Sequence, residues 1–275
     1  MSLTLTIEPL GQCVALEEGQ TLLDAALRAG IYLPHACCHG LCATCKVQVV
    51  DGDIEHGEAS NFALMDYERD EGKCLACCAT AVSDVTIEAE IEEEPDARNL
   101  PVHDFSATVE RLEDLTPTIK GLWLRLDRPM DFQAGQYVNL EIPALGLRRA
   151  FSLANPPRTG AAIELHVRQV PGGAGTTWLH RSLQVGDALK ISGPYGRFFV
   201  RKSSPAPMVF MAGGSGLSSP RSMILDLLDG GCTTPITLVY GQRSREELYG
   251  HDEFLALAAQ HPNLRYVPEI GRAHV

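Results

Sequence analysis

Apolar and polar positions alternate over residues 3–8 and again over 12–16, with Pro9-Leu10-Gly11 between them. A period of two broken by a turn predicts a β-hairpin. The period then changes. Thr21 precedes Leu22, Leu23, Ala26 and Leu27, which share one helical face, so the spacing predicts a helix capped at Thr21 and ended by Gly30. Further on, a strand is predicted over 46–50, turned by Asp51-Gly52, then a short acidic helix over 65–72 and a strand over 85–91. At Glu92-Glu93-Glu94-Pro95-Asp96 the periodicity stops, and a charged linker is expected over 94–103.

From residue 104 the pattern is different. Short alternating runs recur at 106–110, 119–126, 137–142, 150–154, 163–170 and 188–192, separated by Gly or Pro, which predicts an antiparallel barrel over 104–203. Within it, Gly193-Pro194-Tyr195-Gly196 is expected as a tight turn that closes the barrel. The continuous apolar run Met208-Val209-Phe210-Met211-Ala212 has the character of a buried parallel strand. Helices are predicted over 219–228 and 253–260, with strands over 236–240 and 264–267. Residues 204–275 therefore resemble the start of a doubly wound α/β sheet.

Charge sharpens the division. Residues 1–103 carry 19 acidic against 5 basic side chains, and residues 104–275 carry 16 against 18, within a net charge of −12. An acidic first third disfavours nucleic acid, whose phosphates it would repel, and suits docking on basic protein surfaces. Acidity that only maintains solubility is the plainer alternative. No apolar run is long enough to span a bilayer and no signal-peptide pattern occupies Met1–Leu10, so a cytoplasmic protein without a membrane partner is expected.

The strongest chemical signal is Pro34-His35-Ala36-Cys37-Cys38-His39-Gly40-Leu41-Cys42-Ala43-Thr44-Cys45. Cys37, Cys42 and Cys45 have Cys-x4-Cys-x2-Cys spacing, and Cys77 supplies a distant fourth thiol; this is the ligand pattern of a plant-type [2Fe–2S] cluster. Small residues at 36, 40 and 43 leave room for the loop to wrap the cluster. A zinc site would more usually show two separated Cys-x2-Cys pairs or Cys–His pairs. Nine cysteines make an odd number, which disfavours a disulfide framework. Cys74 or Cys78 could replace Cys77, although Cys77 occupies the Leu-x-Cys position seen in ferredoxins. His35 and His39 are expected as loop residues. With its hairpin and crossing helix, the segment 1–93 is expected to be a β-grasp ferredoxin.

Beyond the cluster loop, Arg149, Phe151 and Ser152 lie on one predicted strand, where they can clamp a pyrophosphate, lie on a ring system and hydrogen-bond to a flavin. The alternative is a strand with a basic start. Gly172-Gly173-Ala174-Gly175-Thr176 runs into a helix and offers backbone N–H groups to phosphate, or else is a flexible loop. Gly213-Gly214-Ser215-Gly216, between a strand and a helix, suits a dinucleotide pyrophosphate although it is no G-x-G-x-x-G fingerprint. Arg243 either reaches a cofactor phosphate or is a solvated loop arginine. No acid–base catalytic residue stands out.

Taken in order, Leu33-Pro34, the cysteine loop, Gly135-Gln136-Tyr137-Val138, 149–155, 193–199 and 212–219 resemble the ferredoxin–NAD(P)H reductase superfamily with an N-terminal plant-type ferredoxin. The chain is most like the reductase components that serve phenol-type aromatic hydroxylases. The resemblance implies a multidomain α+β protein: a ferredoxin domain, an antiparallel Greek-key β-barrel for FAD, and a partial doubly wound nucleotide lobe. It implies FAD contacts at Arg149, Phe151, Ser152, His166, Val167, Gly173 and Thr176, and contacts to the nicotinamide dinucleotide at Gly214, Ser215 and Arg243. It implies electron transfer from NADH through FAD and [2Fe–2S] to a di-iron hydroxylase acting on aromatics. NADH over NADPH follows from the resemblance alone.

Two departures from the family pattern bear on this. Phe151 stands where a tyrosine is usual. Residues 205–275 supply three strands where such a lobe has about five, and the family's Cys-Gly-Pro-Pro segment and C-terminal aromatic are absent. Gly271–Val275 is also unlike the family's continuation. A C-terminally shortened chain that incorporates flavin but turns over weakly is therefore expected. The alternative function is a ferredoxin-type carrier with a non-functional second half; a zinc adaptor is a third.

Overall fold

The structure, a computed structural model, describes residues 3–271; the expectation for the tail falls, beyond Gly271, outside them. The chain divides into two compact units, one of residues 1–95 and 99–102, the other of 96–98 and 103–275. The stretch expected as one linker is thus shared between them. In the first unit the Val102 N–H donates to Leu27 O at 3.0 Å. In the second the Ser203 N–H donates to the Asp96 carboxylate at 3.1 Å.

The first unit opens with β1 (Leu3–Glu8) and β2 (Gln12–Leu16), the antiparallel hairpin that their alternation predicts. Thr21 Oγ1 accepts the Asp24 N–H at 3.2 Å and caps α1 (Leu22–Arg28), a contact worth about 1 kcal/mol. That helix buries Leu22, Leu23, Ala25, Ala26 and Leu27. After the cysteine loop come β3 (Lys46–Asp51), β4 (Ile54–Glu55), α2 (Asp66–Asp70), β5 (Lys73–Leu75), β6 (Thr80–Ala81) and β7 (Val85–Glu88). The main sheet has the order β2-β1-β7-β3-β5, with β1 and β7 parallel. A parallel central pair flanked by antiparallel neighbours, with one helix packed on it, is the β-grasp. The last strand ends at Glu88, three residues short of its expected end. β4 and β6 pair as a two-residue ribbon, too short for a period of two to register.

In the second unit, β8 (His103–Asp114), β9 (Ile119–Leu126), β10 (Tyr137–Ile142), β11 (Leu147–Ser152) and β12 (Ala162–Arg168) precede α3 (Ala174–Arg181) and β13 (Ala188–Tyr195). The six strands run β11-β10-β13-β8-β9-β12, and a bridge between Leu153 and Leu165 joins the two edges of the curled sheet. Its core holds Phe105, Phe132, Val138, Leu140, Leu165 and Val167 among others; each such side chain contributes roughly 1.5–3 kcal/mol by leaving water. Gly193–Tyr195, expected as a turn, instead lies inside β13, where Gly193 pairs with His103 and Tyr195 with Tyr137. Turn-type residues here continue a ladder because Gly193 packs against Val138, where a side chain would collide: a Cβ would stand 2.9 Å from Val138 Cγ1.

The chain then forms β14 (Met208–Gly213), α4 (Ser218–Asp229), β15 (Ile236–Gln242), α5 (His251–Gln260) and β16 (Leu264–Ile270). The three strands are parallel in the order β14-β15-β16. β14, expected to be buried, is not: Val209 is 66% and Met211 80% exposed, while alternate residues pack inward. It pairs only with β15 and is covered on one face. An unbroken apolar run carries no information about how many faces are covered. Among the described residues no helix is long and apolar enough to cross a membrane.

Candidate functional site

The cysteine loop is shaped by backbone that only a tight curl requires. Cys38 and Ala43 have φ of 54° and 59°, left-handed values rare for residues with a Cβ. Gly40 (φ 72°) sits where a Cβ would lie 2.8 Å from Glu58 O and 2.9 Å from Cys78 Sγ. The curl turns the His39 and Leu41 N–H groups onto Cys37 Sγ, each at 3.4 Å. Thr44 Oγ1 is 3.2 Å from Cys42 Sγ.

Sheet pairing delivers the fourth thiol. β3 begins immediately after Cys45 and β5 ends two residues before Cys77, and Lys46 pairs with Leu75. The Ala76 N–H then donates to Cys45 O at 2.9 Å. Cys42 has Cys37 as a neighbour, and Cys45 has Cys77. Among the described residues no three Cys, His, Asp or Glu side chains converge on one point. The Thr44 hydroxyl draws Cys42 down to about 7, and the Cys45 thiol draws Cys77 down to about 6, while Cys45 itself is pushed up as the donor. A loop whose N–H groups turn onto Cys37 Sγ, with Cys77 brought in beside Cys45 through the Ala76–Cys45 contact, fits a cluster held by four thiolates. Cys74 is sealed in β5 and burial pushes it up to about 12. Cys78 stands with its sulfur 3.6 Å from that of Cys77.

In the second unit, β10 pairs Val138 with Phe151 and Tyr137 with Ser152. Arg149 is exposed, and its side chain lies along the first turn of α3: a Cβ on Gly175 would sit 3.6 Å from Arg149 Cγ. Gly173 is the N-cap of that helix, and Thr176 Oγ1 accepts the Val170 N–H at 3.0 Å and fixes the glycine loop. A guanidinium beside a helix N-terminus free of side-chain bulk suits a pyrophosphate, so this cradle fits FAD. His166 and Val167 lie across the barrel seam on β12. Val167 is in the core, and both His166 ring nitrogens are engaged: Nδ1 is 3.2 Å from Tyr249 Oη and Nε2 is 2.9 Å from Glu164 Oε1. Either residue can therefore meet a cofactor only through its backbone.

Gly214 has φ 57° and opens the turn between β14 and α4, with Ser215 next to it. Gly213 pairs with Gly241, so Gly214, Ser215 and the exposed Arg243 share the carboxyl edge of the parallel strands. A Cβ on Gly214 would stand 3.2 Å from Arg168 Nη1. The turn thus has a guanidinium above a glycine at a helix N-terminus, a fit for a dinucleotide phosphate. Sequence reasoning missed Arg168. The signal was the strict alternation Glu164-x-His166-x-Arg168 opposite the core residues Ile163, Leu165 and Val167.

Three family models match successive parts of the chain. A 2Fe-2S iron-sulfur cluster binding domain matches residues 5–82, an oxidoreductase FAD-binding domain 106–200 and an oxidoreductase NAD-binding domain 210–273. The reductase component DmpP of phenol 2-monooxygenase from Pseudomonas sp. strain CF600 is 59% identical over 274 residues, covering 100% of this chain and 78% of that protein. The chain belongs to the reductase components of bacterial monooxygenases. The phenol hydroxylase P5 protein of Acinetobacter pittii strain PHEA-2 is 56% identical, covering 98% and 77%. Among solved structures, the Amycolatopsis reductase GcoB superposes with a TM-score of 0.90 at 36% identity, covering 98% of this chain and 81% of its own. As a member of this family, the protein is an oxidoreductase whose cofactors are a [2Fe–2S] cluster, FAD and NADH.

Proposed function

We propose that this reductase component delivers NADH electrons to the di-iron hydroxylase of a phenol-type aromatic monooxygenase in the cytoplasm. Cys37 and Cys42 would hold one iron and Cys45 and Cys77 the other. Arg149 and the amides of the Gly173–Thr176 turn would hold the FAD pyrophosphate. Phe151 and Ser152 would face its ring, and the backbone of His166 and Val167 would line it. Gly214, Ser215 and Arg243 would take the nicotinamide dinucleotide. The working parts would run 1–93, 104–203 and 204–275, with 94–103 between them. When bound, FAD accepts two electrons as a hydride and releases them singly, which matches a one-electron cluster to a two-electron donor.

One observation carries the reading: Cys37, Cys42 and Cys45 lie on one tight loop, the β3–β5 register brings Cys77 in beside Cys45, and on the same chain Arg149 flanks the glycine turn of α3. The phenol substrate and the hydroxylase partner are supported by the names of the two relatives. Purified anaerobically, the protein should show flavin and cluster absorption together, both bleached by NADH, and should support NADH-dependent phenol hydroxylation with a purified hydroxylase. A cluster spectrum without flavin bands contradicts the reading and favours a simple electron carrier.

A further inference from the structure

The first turns of α4 are unusual for a buried helix surface. Ser218, Ser219 and Ser222 are all buried there, and Arg221 lies between them. Helix faces that pack inward are ordinarily apolar. Ser218 Oγ donates back to Ser215 O at 2.8 Å, and the other three have partners on the barrel or on α5. Ser219 Oγ donates to Gly135 O at 3.3 Å, Arg221 Nη1 to Ala154 O at 2.7 Å, and Ser222 Oγ to Asn155 O at 2.6 Å. Two successive helix residues thus hold two successive carbonyls of the segment that continues directly from Phe151 and Ser152.

Arg221 is itself fixed. Its Nε and Nη2 donate to the two oxygens of Glu253 at 2.8 Å each, and its Nη1 also reaches Glu164 Oε2 at 3.1 Å. Stability does not explain this arrangement, because well-packed apolar side chains usually serve as well as a buried ion pair. What the pairs supply is a fixed position. α4 begins immediately after the Gly214–Leu217 turn, so one rigid helix carries the nucleotide turn at its start and grips the flavin strand one turn later.

We propose that Arg221 and Ser222 are positioning residues for hydride transfer, holding the end of the flavin strand at a fixed distance from the nucleotide turn through α4. This rests on the reading of β11 as the flavin strand and of Gly214–Ser215 as the nucleotide turn. Hydride transfer depends steeply on the approach of the reacting atoms, so loosening the strut slows the step while leaving nucleotide capture intact.

The test compares the FAD- and iron-loaded protein with its Ser222→Ala and Arg221→Lys variants. Ser222→Ala removes one hydroxyl and leaves the packing; Arg221→Lys keeps the charge but cannot make the two-oxygen contact. FAD content, thermal melting and the visible circular dichroism of bound flavin are measured first, then anaerobic flavin reduction at increasing NADH. The expected result for both variants is parent-like FAD content, a melting point lowered but still well above the assay temperature, an altered flavin dichroism, and a limiting reduction rate lowered about tenfold. The half-saturating NADH concentration should move less than about twofold. A parent-like limiting rate in both variants overturns the proposal. So does a rate loss that merely tracks lost FAD or unfolding at the assay temperature. An unaltered protein that binds no FAD overturns the functional reading itself, and this proposal with it.

Discussion

Cys45 and Cys77 are neighbours although the chain between them forms three strands and a helix. Their meeting is a consequence of register: Lys46 opposite Leu75 sets Cys45 against Ala76, whose N–H donates to Cys45 O at 2.9 Å, and Cys77 is the next residue. Cys74, three positions earlier, faces the interior opposite Val47. Cys77→Ser should therefore lose most of its iron and its visible cluster bands, while Cys74→Ala keeps both. Iron per chain and the visible spectrum of anaerobically purified variants distinguish the two outcomes.

Gly40 is the loop position least tolerant of a side chain. Its left-handed backbone alone costs about 1–2 kcal/mol for a residue with a Cβ, and the methyl of Gly40→Ala would press on Glu58 O and Cys78 Sγ. The variant should shed its cluster at lower temperature than the parent. Loss of cluster absorbance on heating measures this directly.

Arg168 stands over Gly214, in the turn proposed to take the nucleotide. A charged hydrogen bond to a phosphate is worth roughly 1.5–3 kcal/mol, so Arg168→Ala should raise KM for NADH at least about tenfold, with kcat nearly unchanged. Steady-state reduction of ferricyanide at varied NADH tests it. A fall in kcat with constant KM would remove Arg168 from nucleotide binding.

Next to the cluster loop the surface is apolar. Ser60 donates its N–H to Gly40 O, and on either side of that contact Phe62 is 95% and Leu41 68% exposed. The unit that carries them is strongly acidic. An exposed aromatic within a charged surface is the kind of residue that anchors a transient complex. Phe62→Ala should slow electron delivery to the hydroxylase by about tenfold, the effect of losing a contact of roughly 1–2 kcal/mol, while ferricyanide reduction stays at the parent rate.

Glu164 carries a pH signature. Burial disfavours its charge, but the His166 hydrogen bond and the Arg221 guanidinium outweigh burial and hold its carboxyl below the ordinary value of 4.5. A carboxyl with a lowered folded value contributes stability above 4.5 that is lost as the pH falls through the folded value. Denaturant titrations between pH 6 and about pH 3 should show the parent losing stability more steeply than Glu164→Gln. Equal slopes would contradict the assignment.

Much of this was legible in the residues. The β1–β2 alternation, the Thr21 cap and the runs at 119–126 and 137–142 form the elements their patterns predict, because one buried face and local capping fix them. The cysteine spacing carried the ferredoxin domain. What escaped was set by distant partners: the exposed face of β14 depends on whether anything packs against it, and Gly193-Pro194 continues a strand because Val138 packs on it. The buried polar run of α4 has the composition of a surface. The carbonyls of Gly135, Ala154 and Asn155, with the carboxylates of Glu164 and Glu253, explain why it turns inward.

The central claim is that one chain converts a two-electron donor into a one-electron supply. Anaerobic titration with NADH, followed by visible absorption and electron paramagnetic resonance, tests it most directly. With two electrons taken by FAD and one by the cluster, full reduction should require about 1.5 equivalents of NADH per chain and yield one paramagnetic [2Fe–2S] centre. Complete bleaching at about one equivalent with no paramagnetic iron signal, or a protein without iron, would contradict it.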